Sequence, residues 1–435
     1  MSLGLYGLAW RLGSPLAAAY LLWRSRAQPE YRQHWAERWA LGPVNPAPVD
    51  ANPALIWIHA VSVGETRAAQ PLIDALLGAD PARHILLTHM TPTGRATGEE
   101  LFARRWAGRL QQCYLPYDTP GATARFLARW RPSLGLLMET ELWPGLCAQA
   151  AARGLPLVLV NARLSERSLA RGLRWRRLLG PALASLAAVL AQTPADAARL
   201  ARLGRHDAPV LGNLKFDVAP SAERAALGRQ WRQTCGERPR VLCASTREGE
   251  EALLLAAWQR ALAAWPAEPS SARPQLLLVP RHPQRFEAVA REIPQAGFRL
   301  ARRSGGVWPD AHADVLLGDS MGEMAAYHAM ADVAIIGGSL LPFGGQNLIE
   351  ACALGVPVVV GPHTRNFEQA AEEAVMAGAA SRVADAGQAV DRALALVGDA
   401  AARAAMGDAG ERFWQTHRGA TQRTLAALVI WLRPS

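Results

Sequence analysis

The sequence predicts an α/β protein of two doubly wound, Rossmann-like domains facing a cleft, behind an N-terminal membrane-associated helix. Three observations predict it. From Pro53 onward, short β-rich runs alternate with helical patterns, which is the mark of βαβ units and parallel sheets. The alternation is interrupted once, near 215–238, by a polar, arginine-rich stretch. The segment Gly337–Phe367 reads as strand end, glycine loop, helix, strand and loop. Gly344-Gly345 would let the backbone approach a ligand closely. Asn347 is placed to cap the following helix, with Glu350 three residues on. A glycine loop leading into a helix N-terminus suits a phosphate, and Glu350, one turn in, suits two ribose hydroxyls. The same pattern also fits an ordinary βαβ turn whose glycines serve packing.

At 435 residues the chain has room for two domains with their own cores. Half of it is hydrophobic and its formal charge is +10. Nearly all the basic residues are arginine; Lys215 is the sole lysine. A basic tail, zinc-type spacing and an aromatic RNA platform are all missing, so nucleic acid is not the expected partner. Anionic lipid headgroups and anionic small substrates account for the charge as well. Cys113, Cys147, Cys235, Cys243 and Cys352 are scattered and odd in number, which reads as reduced thiols.

In chain order, residues 1–23 are apolar except for Arg11, just long enough to span a bilayer, and Pro15 falls within them. Arg24, Arg26, Arg32 and Arg38 follow and would stay cytoplasmic. An interfacial helix is the alternative. Residues 1–26 are therefore the expected anchor, 27–217 the first domain and 218–435 the second, with the last helix free to pack back on the first. The expected strands of the first domain are Ala54–Val61, Ile85–Thr88, Gln112–Leu115, Leu134–Met138, Leu157–Val160, Ala188–Ala191 and Val210–Gly212. Those of the second are Val241–Ala244, Gln275–Val279, Val315–Leu317, Val333–Ile336 and Val356–Val360.

Candidate chemistry lies at strand ends, where ligands of open α/β sheets bind. His59-Ala-Val-Ser-Val-Gly-Glu65 places Glu65 at a helix N-terminus, which would stabilise the carboxylate as an anion fit to act as a general base; a plain helix cap is the other reading. Ser62 and Gly64 could turn backbone N–H groups toward an acceptor phosphate. Thr91 and Thr93 either touch an acceptor or cap a turn. Glu139 and Glu141 close together shape the cleft or bind a metal, although no aspartate pair near a strand end supports metal. Lys215 would meet an anion or pair with Asp217. In the second domain Ser245, Thr246 and Arg247, then Pro280-Arg281-His282, then Asp319 to Met324, and lastly the Gly337–Glu350 loop converge on one edge. The basic run Arg167–Arg177, interleaved with Leu169, Leu173 and Trp175, reads as a solvated face or a contact with anionic headgroups.

Taken together, HAVSVGE (59–65), MTPTG (90–94), METELWP (138–144), NARLSERS (161–168), GNLKFD (212–217), ASTREGEE (244–251), PRHP (280–283), MGEM (321–324) and the 337–363 segment closely resemble the 3-deoxy-D-manno-octulosonic acid (Kdo) transferases of lipopolysaccharide synthesis. The likeness spans nearly the whole chain. It implies a GT-B glycosyltransferase with CMP-Kdo as donor, lipid IV-A as acceptor, inversion at the anomeric carbon and no metal or other cofactor. It also implies attachment to the cytoplasmic face of the inner membrane, among anionic lipids. The family's general base maps onto Glu65. Its CMP contacts map onto Pro280, Arg281, Met321, Gly322, Glu323, Asn347, Leu348, Ile349 and Glu350. Further substrate contacts are expected from Ser62, Gly64, Lys215, Ser245, Arg247, Gly344 and Gly345. Two positions depart from the family pattern: Gln346 and Arg247 stand where histidine is usual, and both still donate hydrogen bonds. The rival readings are a sugar-nucleotide epimerase of the same fold and a membrane-anchored nucleotide-binding regulator without transfer activity.

Overall fold

The computed structural model describes residues 1–26, 28–41, 55–236, 238–265 and 272–432. The chain divides into two compact units, Met1–Val218 with Arg418–Ser435, and Ala219–His417. The last helix, Ala420–Leu432, thus belongs with the first unit, where it packs on the helix Val63–Ala79.

The first unit holds a six-stranded sheet of β1 (Leu55–His59), β2 (His84–His89), β3 (Leu110–Tyr114), β4 (Leu134–Met138), β5 (Leu157–Ala162) and β6 (Ala188–Ala191). All pairings are parallel, in the order β3-β2-β1-β4-β5-β6. Such strands are covered on both faces, so they read as unbroken apolar runs; β4, Leu-Gly-Leu-Leu-Met, is buried at every position. Chain direction across the sheet reverses between β1 and β4, which makes their C-terminal ends the switch point where a ligand crevice opens. Three helices of this unit begin alike: Thr91-Pro92, Thr119-Pro120 and Thr193-Pro194 each supply a hydroxyl that accepts from the N–H three residues on, with proline in the first turn. Thr91 is thereby a helix cap. It also donates to the Val61 carbonyl, holding the loop after β1.

The second unit holds a seven-stranded parallel sheet, β7 (Arg240–Thr246), β8 (Gln275–Pro280), β9 (Leu300–Arg302), β10 (Val315–Leu317), β11 (Val333–Ile336), β12 (Val358–Val360) and β13 (Ala380–Arg382), in the order β13-β12-β11-β7-β8-β10-β9. Its switch point lies between β7 and β11. Trp258, fully buried, sits in the core beneath it with Leu276, Leu278 and Ile335.

Several expectations need correction. Val210–Gly212 is no strand; Val210 makes a single bridge to Ala191. The expected start of the first strand, Ala54, lies outside the described residues, and Val356 precedes its strand. The short edge strands β9 and β13, three residues each, went unread. Arg167–Arg177 is two helices, Glu166–Arg174 and Arg176–Ala184, broken at Trp175.

The N-terminal helix Leu3–Arg24 is 22 residues long. No helix among the described residues is long and apolar enough to cross a membrane, so the spanning reading falls; Arg11, Ser14 and three glycines dilute its apolar character. It lies on the first unit, with Tyr6 donating to Asp118 at 2.9 Å and Trp10 stacked on Tyr117. Leu5, Leu12 and Leu16 point outward, 58%, 73% and 74% exposed.

Candidate active site

At the first sheet's switch point the loop after β1 carries Glu65, in the first turn of Val63–Ala79. Its Oε2 accepts from the Val61 N–H at 2.5 Å. The loop after β4 carries Glu139 and Glu141. Glu139 has a left-handed backbone, φ 54°, a costly conformation for a residue with a Cβ that turns its carboxylate to Lys215, whose Nζ lies 2.7 Å from Oε1. Lys215 therefore pairs with Glu139, while Asp217 accepts from the Gly419 and Thr421 N–H groups at the start of the last helix. Glu141 accepts from Trp143 Nε1 at 2.6 Å, and its Oε2 lies 3.8 Å from His59 Nε2. His59 is wholly buried, and burial, then His89, pushes its pKa down to about 3, so it is neutral.

These neighbours overturn the expectation that the helix end would keep Glu65 ionised. Burial, then Glu139 and Glu141, push its pKa up to about 8; the Val61 N–H and Lys215 oppose the rise without cancelling it. Burial likewise raises the Glu141 pKa. Ser62 is the N-cap of the same helix without a side-chain cap bond, and Gly64 is exposed in its first turn.

At the second sheet's switch point the organiser is Glu250, which motif reading passed over. It is fully buried. Its carboxylate accepts from the N–H groups of Arg247 (2.8 Å), Gly338 (2.6 Å), Leu340 (3.0 Å) and Leu341 (3.3 Å). It thereby ties the loop after β7 to the loop after β11. The only sequence signal was an acidic residue directly after Ser-Thr-Arg-Glu-Gly. Ser245 takes φ 59° at a bulge in β7. The Arg247 guanidinium stacks 4.5 Å from the centre of the Phe343 ring. Arg281 donates its N–H to the Thr246 carbonyl. Burial, then the nearby Arg247 and Arg281, lower the His282 pKa.

Gly344 and Gly345 lie in the loop after β11, both with left-handed backbone, φ 94° and 76°. A Cβ on Gly344 would lie 2.8 Å from the Arg365 and Asn366 side chains. Gly344 thus lets this loop pack closely on the 363–366 loop of the same unit. The helix that follows is short, Ile349–Ala353, with Leu348 at the N-cap position and the Asn347 side chain accepting from the Ile349 N–H at 3.0 Å. Glu350 is half-buried in its first turn. Met321 and Gly322 are exposed, whereas the Glu323 carboxylate is held by Arg303 (2.9 Å), Arg224 (3.3 Å) and Ser320 (2.5 Å). Asp319 is likewise engaged by Arg302 and Ser304. The five cysteines are free and buried.

Comparison with known proteins adds to this geometry. Residues 33–218 match the family described as 3-Deoxy-D-manno-octulosonic-acid transferase (kdotransferase). A 3-deoxy-D-manno-octulosonic acid transferase of Bordetella pertussis is 50% identical over 99% of this chain and 100% of its own length. The chain belongs to the 3-deoxy-D-manno-octulosonic acid transferase family. A second transferase of that description, from Haemophilus influenzae, is 35% identical over 96% of each chain. A solved glycosyltransferase from Rickettsia africae ESF-5 aligns with a TM-score of 0.58 at 11% identity, covering 88% of this chain and 99% of its own, and shares the two-domain α/β fold. The protein is a Kdo transferase, and the non-enzymatic reading has nothing in its favour.

Proposed function

We propose that the chain moves Kdo from CMP-Kdo to lipid IV-A with inversion at the anomeric carbon, Glu65 acting as general base. The observation that carries this is the position and basicity of Glu65. It lies at the switch point of its sheet, and its pKa is raised to about 8 by burial and two neighbouring carboxylates. A base titrating near the working pH combines availability with strength. The acceptor hydroxyl oxygen attacks the anomeric carbon of Kdo while Glu65 takes its proton. The bond from that carbon to the phosphate oxygen breaks on the opposite side, and CMP departs with the electron pair. Glu139, paired with Lys215 at 2.7 Å, is one of the two carboxylates that raise the proton affinity of Glu65.

In the second unit Arg247, Arg281 and the loop N–H groups are the partners for the CMP phosphate, so its departing charge is met without a metal ion. Main-chain groups of Met321-Gly322 and of Asn347-Leu348-Ile349 would frame the nucleoside, with the half-buried Glu350 accepting from the ribose hydroxyls. Gln346 and Arg247 donate where the family usually carries histidine. The Glu323 side chain, held by two arginines, shapes that loop.

The outward leucines of Leu3–Arg24 and the exposed Arg167, Arg171, Arg174, Arg176 and Arg177, with Leu173 and Trp175 among them, support an interfacial attachment to anionic lipid at the cytoplasmic face of the inner membrane.

The test is a transfer assay with the purified full chain in detergent, CMP-Kdo, lipid IV-A and EDTA, read by mass spectrometry. Stepwise gains of one Kdo are expected. Product appearing only when Mg²⁺ is restored would overturn the metal-free mechanism, and absence of product under any condition would overturn the acceptor assignment.

A further inference from the structure

A cavity of about 360 Å³ lies in the first unit between the N-terminal helix and the helices Pro120–Trp130 and Pro144–Ala151. Its volume falls within the range of small-molecule pockets, about 300–1,000 Å³. Leu3, Leu8, Pro120 and Ala148 give it apolar walls. Gly4 leaves it open: a Cβ added there would meet nothing within 4 Å. One turn on, Gly7 is packed so close that its Cβ would lie 2.9 Å from Pro120. The helix is therefore clamped at one point and stands away from the body at the next.

The polar groups inside ask for nothing from a ligand. Asp118 is fully buried, and its oxygens accept from Tyr6 (2.9 Å), Gly145 N–H (2.8 Å) and Leu146 N–H (2.7 Å). At the rim the character changes. Arg11, exposed, is the only charged residue of the helix before Arg24. Gln149, which lines the cavity, accepts from the exposed Arg153 at 2.6 Å. An apolar interior under two cations matches an alkyl chain attached to an anionic head. Two of its lining residues stand at the strand-end edge that bears Glu65: Asp118 lies in the loop after β3, and Gly145 lies in the first turn of the helix that follows the loop after β4.

We infer that this cavity receives one acyl chain of the lipid acceptor, with an acceptor phosphate on Arg11. Its position beside the transfer edge favours the acceptor over a bulk bilayer lipid. The inference rests on the proposed lipid acceptor and adds to it a subsite that measures acyl chains. Chain length then becomes a determinant of acceptor choice, and the N-terminal helix becomes one wall of the substrate site.

The test compares kcat/KM for lipid IV-A and for its fully deacylated counterpart in detergent micelles, for the wild type, Gly4→Leu, Ala148→Phe and Arg11→Glu. Gly4→Leu and Ala148→Phe fill the cavity from opposite walls, so a folding fault in one leaves the other informative; circular dichroism checks both. The expected result is that the preference for the acylated acceptor falls at least about tenfold in each filling variant, mainly through KM, and that Arg11→Glu raises the acceptor KM. An undiminished preference in both filling variants overturns the inference while leaving the acceptor assignment standing. Absence of transfer to lipid IV-A by the wild type would instead overturn the acceptor assignment itself. Loss of vesicle flotation in the filling variants with an intact preference would assign the cavity to a bilayer lipid and also overturn the inference.

Discussion

The two sheets share one topology, and their switch points hold opposite chemistry. In the first unit three carboxylates and one lysine gather after β1 and β4, around Glu65, Glu139, Glu141 and Lys215. In the second, the buried Glu250 carboxylate is taken up by four backbone N–H groups and the buried Glu251 accepts from Thr246, while Arg247 stacks on Phe343 at the same edge. The first edge stores negative charge whose proton affinity is tuned; the second spends its negative charge on shaping a loop and sets an arginine beside it. A fold fixes where ligands bind, and the side chains at that place decide whether it handles protons or phosphates.

The sharpest way to break this contrast is Glu65→Gln. Transfer should fall by about 10²- to 10⁴-fold, while calorimetry finds CMP bound as before, since the proposed nucleotide contacts lie in the other unit. A rate within a few-fold of the wild type would remove Glu65 from the chemistry. Next comes Glu250→Ala, which leaves the loop N–H groups without their acceptor. Denaturant unfolding should show a loss of about 3 kcal/mol, and CMP affinity should drop with it; unchanged affinity would show that the cradle does not shape the nucleotide site.

The pH dependence sharpens the comparison further. Because Glu65 titrates near 8 when folded and near 4.5 when unfolded, the folded state holds the proton more tightly. Its contribution to stability is therefore full below about pH 4.5 and is lost as pH rises through 8, while kcat rises over the same interval as the base ionises. Glu65→Gln should abolish that loss, so its melting temperature should overtake the wild type's toward pH 8. A flat kcat profile between pH 6 and 8 would contradict the raised pKa. Lys215→Met should move the kcat limb to higher pH, since Lys215 opposes the rise; a shift downward would exclude the ion pair from the tuning. The smallest effect is expected of Arg247→Lys, which keeps the charge but loses the planar stack on Phe343, a contact worth about 0.5–1 kcal/mol; donor KM should rise only a few-fold.

Much of this was legible in the chain. The buried strands announced themselves as apolar runs, and the loops after β1, β4, β7 and β11 were singled out because polar residues followed those runs. The Thr-Pro starts are caps by local chemistry alone. The three-residue strands β9 and β13 were too short to leave a periodic trace, and Val210–Gly212 had a strand's composition without a strand's neighbours. Asn347 looked like the N-cap; the cap position falls at Leu348, yet the Asn347 side chain still accepts from the Ile349 N–H and so makes the capping bond.

What the sequence by itself determined is local: which segments are strands, where helices start, which residue types stand at strand ends, and the family the chain belongs to. What only the tertiary structure decided depends on distance through space. Spacing placed Lys215 near Asp217, whereas folding placed it 2.7 Å from Glu139, 76 positions away in the chain. A helix N-terminus promised an anionic Glu65, and burial beside two other carboxylates reversed that promise. Glu250 became the keystone of a loop some 90 residues on because the strand order sets β7 against β11. The physical reason is the same throughout. Caps and periodicity act over a few residues, whereas desolvation, charge coupling and close packing are sums over neighbours that no stretch of sequence contains.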